Sequence, residues 1–143
     1  MRNKTSTLRN AALFGLIVLF ALTLLFFALV RLFTVAAVLA IIFGLLGLVL
    51  VVLTLRLQEP RLYRVFFLVT GISAAAIPIS VVLHNLVYAL CIVFFGEGFW
   101  EGGSDEPFFF ILAIIVFPAL FVIGAVCSTV LLIRFKMTKT NKE

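Results

Sequence analysis

The chain has 143 residues, with one histidine, His84, and two cysteines, Cys91 and Cys127. Metal, thiol or proton-transfer chemistry would have to begin from these three. His84 stands in an apolar run, next to Asn85, with Ser80 one turn before it and Tyr88 one turn after. An ionisable side chain inside such a run is a candidate for proton transfer or ligand binding, because hydrocarbon disfavours its charged form. At the edge of the run water is close, and the same residue serves as a hydrogen-bonding anchor. Glu97, Glu101, Asp105 and Glu106 follow in one loop and form a candidate acidic cluster. It would bind cations, or is simply a loop kept free of Lys and Arg, with Asp105 and Glu106 suited to a helix N-terminus. A zinc centre takes three or four donors, and no ligand spacing joins His84 to these carboxylates. Haem held by two histidines of one chain is excluded by count. The cysteines lie 36 positions apart, near opposite ends of two different apolar runs, so no disulfide is expected. Neither cysteine has a base beside it in the sequence, and no phosphate-cradling glycine loop precedes a helix. The expectation is therefore a protein that is not an enzyme and carries no cofactor or metal.

The elements that position these residues are written in the hydropathy. The hydrophobic fraction is 65% and the charged fraction 12%, against roughly 45–50% and about 25% in soluble domains. A soluble fold of this length has too little interior to hide so much apolar surface. Four runs stand out: 11–30, 32–55, 65–95 and 108–133. Each reaches the ~20 residues that cross a hydrocarbon core as a helix. None alternates apolar and polar residues as a membrane strand would. The first run follows Arg2, Lys4 and Arg9, as a signal peptide would, but is too long for one and lacks a cleavage site in a polar setting. It is read as a retained helix. The expected fold is an all-α integral membrane protein, a four-helix transmembrane bundle in one domain, 1–143. Its helices span about 11–30, 33–55, 62–95 and 107–134, with an outer loop at 96–106.

The net charge of +5 comes from eleven basic residues, and their placement sets an orientation. Arg2, Lys4 and Arg9 precede helix 1; Arg56, Arg61 and Arg64 lie around the loop between helices 2 and 3; Arg134, Lys136, Lys139 and Lys142 follow helix 4. Only Arg31 falls on the other side. Basic residues near helix ends are retained in the cytoplasm, so both termini are expected there, in a membrane whose charge bias fits a prokaryotic plasma membrane. The same charges touch anionic lipid head groups, and nucleic acid is not expected as a partner.

Short connections shape the bundle. Val30–Thr34 is so brief that helices 1 and 2 must form an antiparallel hairpin, with Thr34 placed to cap helix 2. Pro60 suits a first helical turn, and Ser104-Asp105-Glu106-Pro107 reads as a cap and an opening proline for helix 4. Phe94, Phe95, Phe99, Trp100 and Phe108–Phe110 crowd the outer boundary as interfacial anchors. Small residues mark candidate helix contacts: Ala36, Ala40 and Gly44 on helix 2, with Gly47 one turn on, and Gly124 and Ser128 on helix 4.

Helix 3 differs from the rest. At about 100° per residue, Thr70, Ser73, Ser80, His84, Asn85 and Tyr88 share one half of the wheel with Gly71, Ala74 and Pro78. This polar half is expected to turn away from lipid, making helix 3 the most protein-covered of the four. Its 31-residue run rises about 46 Å, and Pro78 is the natural place for a bend. Small multidrug exporters carry an acidic residue in their first helix, and quinone-linked thiol oxidoreductases carry Cys-x-x-Cys; neither feature is present here. The expectation is a non-catalytic accessory subunit of a membrane complex, or a self-associating scaffold, whose partners are membrane lipid and other membrane subunits or itself. The alternative is a small homo-oligomeric transporter or channel that uses the polar face of helix 3.

Overall fold

The computed structural model describes residues 2–100 and 106–140, all helices, turns and short connections. Helix α1 (Arg2–Leu24) ends in a widened π turn, Leu25–Leu29, followed by α2 (Phe33–Leu55) and α3 (Arg61–Phe95). A short 3-10 turn (Glu97–Trp100) leads toward α4 (Pro107–Ile111), which continues through a second π turn, Leu112–Val116, into α5 (Phe117–Thr140). These make four rods, and all four are long and apolar enough to cross a membrane: Lys4–Leu29, Phe33–Leu55, Arg61–Phe95 and Pro107–Arg134.

The rods pack in chain order, α1 on α2, α2 on α3, and α3 on α5. Their apolar stripes meet in one core of Leu13, Leu16, Phe43, Leu50, Phe67 and Phe121, each at most 2% exposed. Phe20 of α1 closes the ring, its centroid 5.8 Å from that of Phe43 and 4.8 Å from that of Phe121 on α5. Outside this core the helices present bulky aliphatic side chains to the surroundings, Val18, Val38, Ile41 and Leu45 among them.

Helix α3 is central and the most buried of the four. Two backbone approaches hold it. Against α2, a Cβ on Gly47 would lie 2.7 Å from Gly71 O, and one on Gly71 would lie 2.8 Å from Gly47 O. Only hydrogen fits at that crossing, so two helix axes come closer than side chains allow. Against α5, a Cβ on Gly124 would meet Thr70 Oγ1 at 2.6 Å. Pro78 cannot donate to the carbonyl one turn back, yet α3 remains helical through it to Phe95. Its ring fills the notch left by Gly44, 2.6 Å from where that Cβ would stand.

Several local expectations change. Helix α1 begins at Arg2 rather than near 11, so Arg9 is a helical residue. Leu32, not Thr34, precedes the first residue of α2, and no side chain caps that end. The hairpin turns instead on Arg31 at φ 56°, and the end of the first rod is closed by Val30 N–H on Leu25 O and Leu32 N–H on Phe26 O. Pro60 stands just before α3 in extended conformation, where its carbonyl accepts from Arg64 N–H at 3.2 Å. Ala40 is half-buried while Ala36, Gly44 and Gly47 are buried. Ala36, Gly44 and Gly47 thus share one buried stripe of α2, and Gly44 and Gly47 meet α3 directly.

Candidate functional site

Two polar clusters occupy opposite ends of the bundle. The first joins α3 to the start of α4. Glu106 precedes α4 with an extended backbone, and Pro107, whose missing N–H costs nothing there, opens the helix. The Glu106 carboxylate accepts from the N–H groups that a helix start leaves unpaired: Oε1 from Phe108 N at 2.8 Å and Phe109 N at 3.2 Å, Oε2 from Phe109 N at 3.0 Å. His84 reaches this cap from α3. Its Nδ1 lies 3.0 Å from the Glu106 carbonyl oxygen and 3.3 Å from Oε2. A carbonyl only accepts, so the proton sits on Nδ1 and His84 donates. The imidazole also rests against Phe110, centroids 5.6 Å apart. Both partners are largely enclosed, His84 at 16% and Glu106 at 8% side-chain exposure.

The polar half of α3 divides along its length. Thr70, Ser73 and Ser80 are buried, at 0 to 4% exposure, and Thr70 Oγ1 turns its proton back to Phe66 O at 2.8 Å. Asn85 and Tyr88 are exposed, contrary to a face turned wholly inward. Asn85 Nδ2 donates to Val81 O at 2.8 Å on its own helix. The 35 residues of α3 rise about 52 Å against about 34 Å for the 23 of α2, so the last turns of α3 outrun that neighbour. They are partly sheathed by their own chain: Trp100 stacks on Tyr88 at 5.8 Å and 16°, Nε1 donates to Tyr88 O at 3.4 Å, and Phe99 stacks on Phe95.

Of the acidic cluster, Glu106 is in contact with His84. Glu97 lies in the 3-10 turn, and Glu101 and Asp105 lie outside the described residues. No group of three or more potential metal ligands is gathered among the described residues. Cys91 and Cys127 are free thiols, each half-buried.

The second cluster was not legible in the charge pattern. Arg9 is only 2% exposed. Its guanidinium pairs with Glu59 of the α2–α3 connection, donates from Nε and Nη2 to Asn10 Oδ1 at 3.2 and 2.8 Å, and lies 4.1 Å above the centre of the Phe67 ring. A buried cation of this kind persists because a carboxylate, an amide and an aromatic face replace its water. Tyr63 closes the same end by donating its hydroxyl to Leu131 O of α5. The signal available was the stripe Arg9, Leu13, Leu16 and Phe20, one helical face on which the arginine extends an inward row. Ser128, on the α3-facing side of α5, is 0% exposed, and its Oγ has no hydrogen-bond partner among the described residues.

Chemically, neither cluster presents a nucleophile beside a base or an open set of donors. Both are built to join elements: His84 with Glu106 ties α3 to α4, and Arg9 with Glu59 ties α1 to the turn before α3. The chain matches no protein-family model, no curated protein and no solved structure.

Proposed function

We propose that the protein is a small integral membrane protein with four spans and both termini cytoplasmic, acting without chemistry of its own as an accessory subunit of a membrane complex. The observation that carries this reading is the enclosure of the α3 polar face: Thr70, Ser73 and Ser80 are packed at 0 to 4% exposure between helices. Side chains so placed serve helix contact, as small and hydroxyl residues do in lipid, rather than line a water-filled path. Gly44, Gly47 and Gly124 are likewise spent on contacts within the chain. A partner would then meet the bulky aliphatic faces left outside, which favours an accessory subunit over a scaffold that self-associates through small-residue rows. The orientation rests on the clusters at Arg2–Arg9, Arg56–Arg64 and Arg134–Lys142, which the retention of basic residues places inside, and the bias fits a prokaryotic plasma membrane.

A second reading, a small transporter or channel, is favoured by the His84–Glu106 pair, the one ionisable pair at the opposite end among the described residues. One experiment separates the two. The protein is extracted from its native membrane in mild detergent and everything that co-migrates is identified by mass spectrometry. A stoichiometric partner that still accompanies His84→Ala is the expected result. A chain that emerges without a partner, and conducts protons or cations in liposomes until His84→Ala abolishes the flux, would replace this reading with transport.

A further inference from the structure

The α2–α3 seam carries an apolar groove of about 290 Å³ on its outer side. Its floor is Gly44, Ala75 and Pro78, and its rims are Leu45, Leu48 and Val82. The floor is shallow in chemistry as well as depth, because nothing along it offers a hydrogen bond to a polar ligand. The rims decide the width of what enters. Leu45, Leu48 and Val82 are 59, 49 and 64% exposed and stand beside the groove. The small residues below them are already committed to the α2–α3 contact. These rims stand in the way of a helix, 10–12 Å across with its side chains, and a groove of about 290 Å³ suits the slimmer hydrocarbon chain.

What marks the occupant is the end of the seam. At about 100° per residue, Arg61 and Arg64 fall on the same stripe of α3 as Pro78, Ile79 and Val82, and Arg56 ends the groove-facing side of α2. All three arginines are exposed. Glu59 is the only acidic residue among positions 1–96, and its carboxylate is committed to the buried Arg9. The three guanidinium groups therefore have no carboxylate of their own among the described residues. Gly44 lies twelve residues from Arg56, about 18 Å along the helix, and Pro78 fourteen from Arg64, about 21 Å. That is close to one leaflet with its head groups, half of a bilayer about 40–45 Å thick. The exposed apolar side chains of Val52, Leu55 and Ile72 bridge the interval.

We infer that this seam is a binding site for an anionic phospholipid, its phosphate held by Arg56, Arg61 and Arg64 and one acyl chain lying in the groove at Gly44 and Pro78. The inference rests on the proposed membrane insertion. The arginine fork suits phosphate oxygens through paired charge-assisted hydrogen bonds, and basic pockets between spans at the cytoplasmic side select anionic head groups. The Arg9–Glu59 pair acquires a second role from this geometry, because it removes the one carboxylate that would neutralise the site.

The test uses the full chain in non-ionic detergent, titrated with phosphatidylglycerol and phosphatidylcholine of identical acyl chains and read by native mass spectrometry. The wild type is expected to retain phosphatidylglycerol at least about fivefold better, the attraction expected of even one basic side chain. Arg56→Gln/Arg61→Gln/Arg64→Gln should bring the ratio close to one, Arg56→Lys/Arg61→Lys/Arg64→Lys should keep most of it, and Arg2→Gln/Lys4→Gln should leave it unchanged. Acyl-chain placement is read separately. With Trp100, the single tryptophan, changed to Phe and Leu48 changed to Trp, a phosphatidylglycerol brominated on its acyl chains should quench fluorescence more than its phosphatidylcholine counterpart. Equal retention of the two lipids, or a preference that survives the triple glutamine variant, overturns the site; equal quenching overturns the groove as its acyl-chain half. Incorporation into vesicles that resists alkaline carbonate is measured in parallel. Protein that incorporates but shows no preference sinks the lipid site alone, and protein that fails to incorporate sinks the membrane reading with it.

Discussion

Arg9 and Glu59 are 50 positions apart, and each is kept in place by what the other supplies. The cation is 2% exposed and its partner 22% exposed, so removing the carboxylate strands a charge with little water around it. Breaking a buried pair from one side costs about 3–5 kcal/mol, and replacing both members by apolar residues of similar volume is often close to neutral. Glu59→Gln is therefore expected to destabilise the protein in detergent by about 2–3 kcal/mol, discounted for the exposed side of the carboxylate. Arg9→Met/Glu59→Met should recover much of that loss. Equal losses for single and double variants in equilibrium unfolding would show the pair to be unimportant. His84 is expected to behave differently, since its link to Glu106 is a hydrogen bond to a helix cap and not a buried guanidinium pair. Glu106→Ala removes the acceptor for two backbone N–H groups and should cost about 1 kcal/mol. His84→Phe, which keeps a ring against Phe110, should cost about as much through the lost hydrogen bond. A thermal midpoint unmoved by Glu106→Ala would remove the cap from the account.

At the scale of elements, the most informative contacts are those in which no side chain intervenes. Gly47 and Gly71 let α2 and α3 touch backbone to backbone, and Gly124 lets α5 close on Thr70, whose Oγ1 and backbone N are the nearest atoms. Gly71→Val and Gly124→Val should each destabilise by about 1–3 kcal/mol or more, the range for overpacking a filled interface. Ala40→Val, at a half-buried position, should cost less. Denaturant titration of the three variants in micelles checks the order, and a larger loss at Ala40 than at Gly71 would mean that the close glycine crossing is not what holds the helices. The polarity of one half of α3 was legible in the sequence, because residue type repeats with the helical period. Its division was not. Thr70, Ser73 and Ser80 are buried, while Asn85 and Tyr88 on the same half of the helix are exposed. Which part of a helix face its neighbours cover is a property of their packing, and a single helix's periodicity holds no record of it.

For the whole molecule, the proposed topology makes a prediction independent of function. In a Cys91→Ala/Cys127→Ala background, Ser104→Cys should react with an impermeant maleimide applied to intact cells. Thr140→Cys should react only after permeabilisation. The reverse pattern would invert the molecule and place the Arg56–Arg61–Arg64 cluster outside. The bundle itself has an asymmetry that bears on partners. Helix α3 touches α2 and α5 along its length, whereas α1 and α5 meet chiefly through Phe20 on Phe121. The faces of α1 and α2 that point away from α3 carry Val18, Val38 and Ile42 outward, and these are the surfaces a second subunit would cover.

Four helices long enough to cross a membrane, and the apolar character of their outer faces, follow from the sequence by itself. A run of twenty or more apolar residues without a hydrophilic interval satisfies its backbone best within one helix, and that argument needs no knowledge of neighbours. The opening of the last rod at Glu106-Pro107 was equally local, since a carboxylate and a proline answer the unpaired N–H groups of the turn they precede. Tertiary structure alone decided that Arg9 is an interior residue, that Glu59 is its partner, and that Arg56, Arg61 and Arg64 are thereby left without a carboxylate among the described residues. Charge pattern places basic residues at a helix end but cannot say which of them a carboxylate 50 positions away will neutralise. That choice depends on how the helices cross, and the crossing depends on where glycine lets two backbones meet.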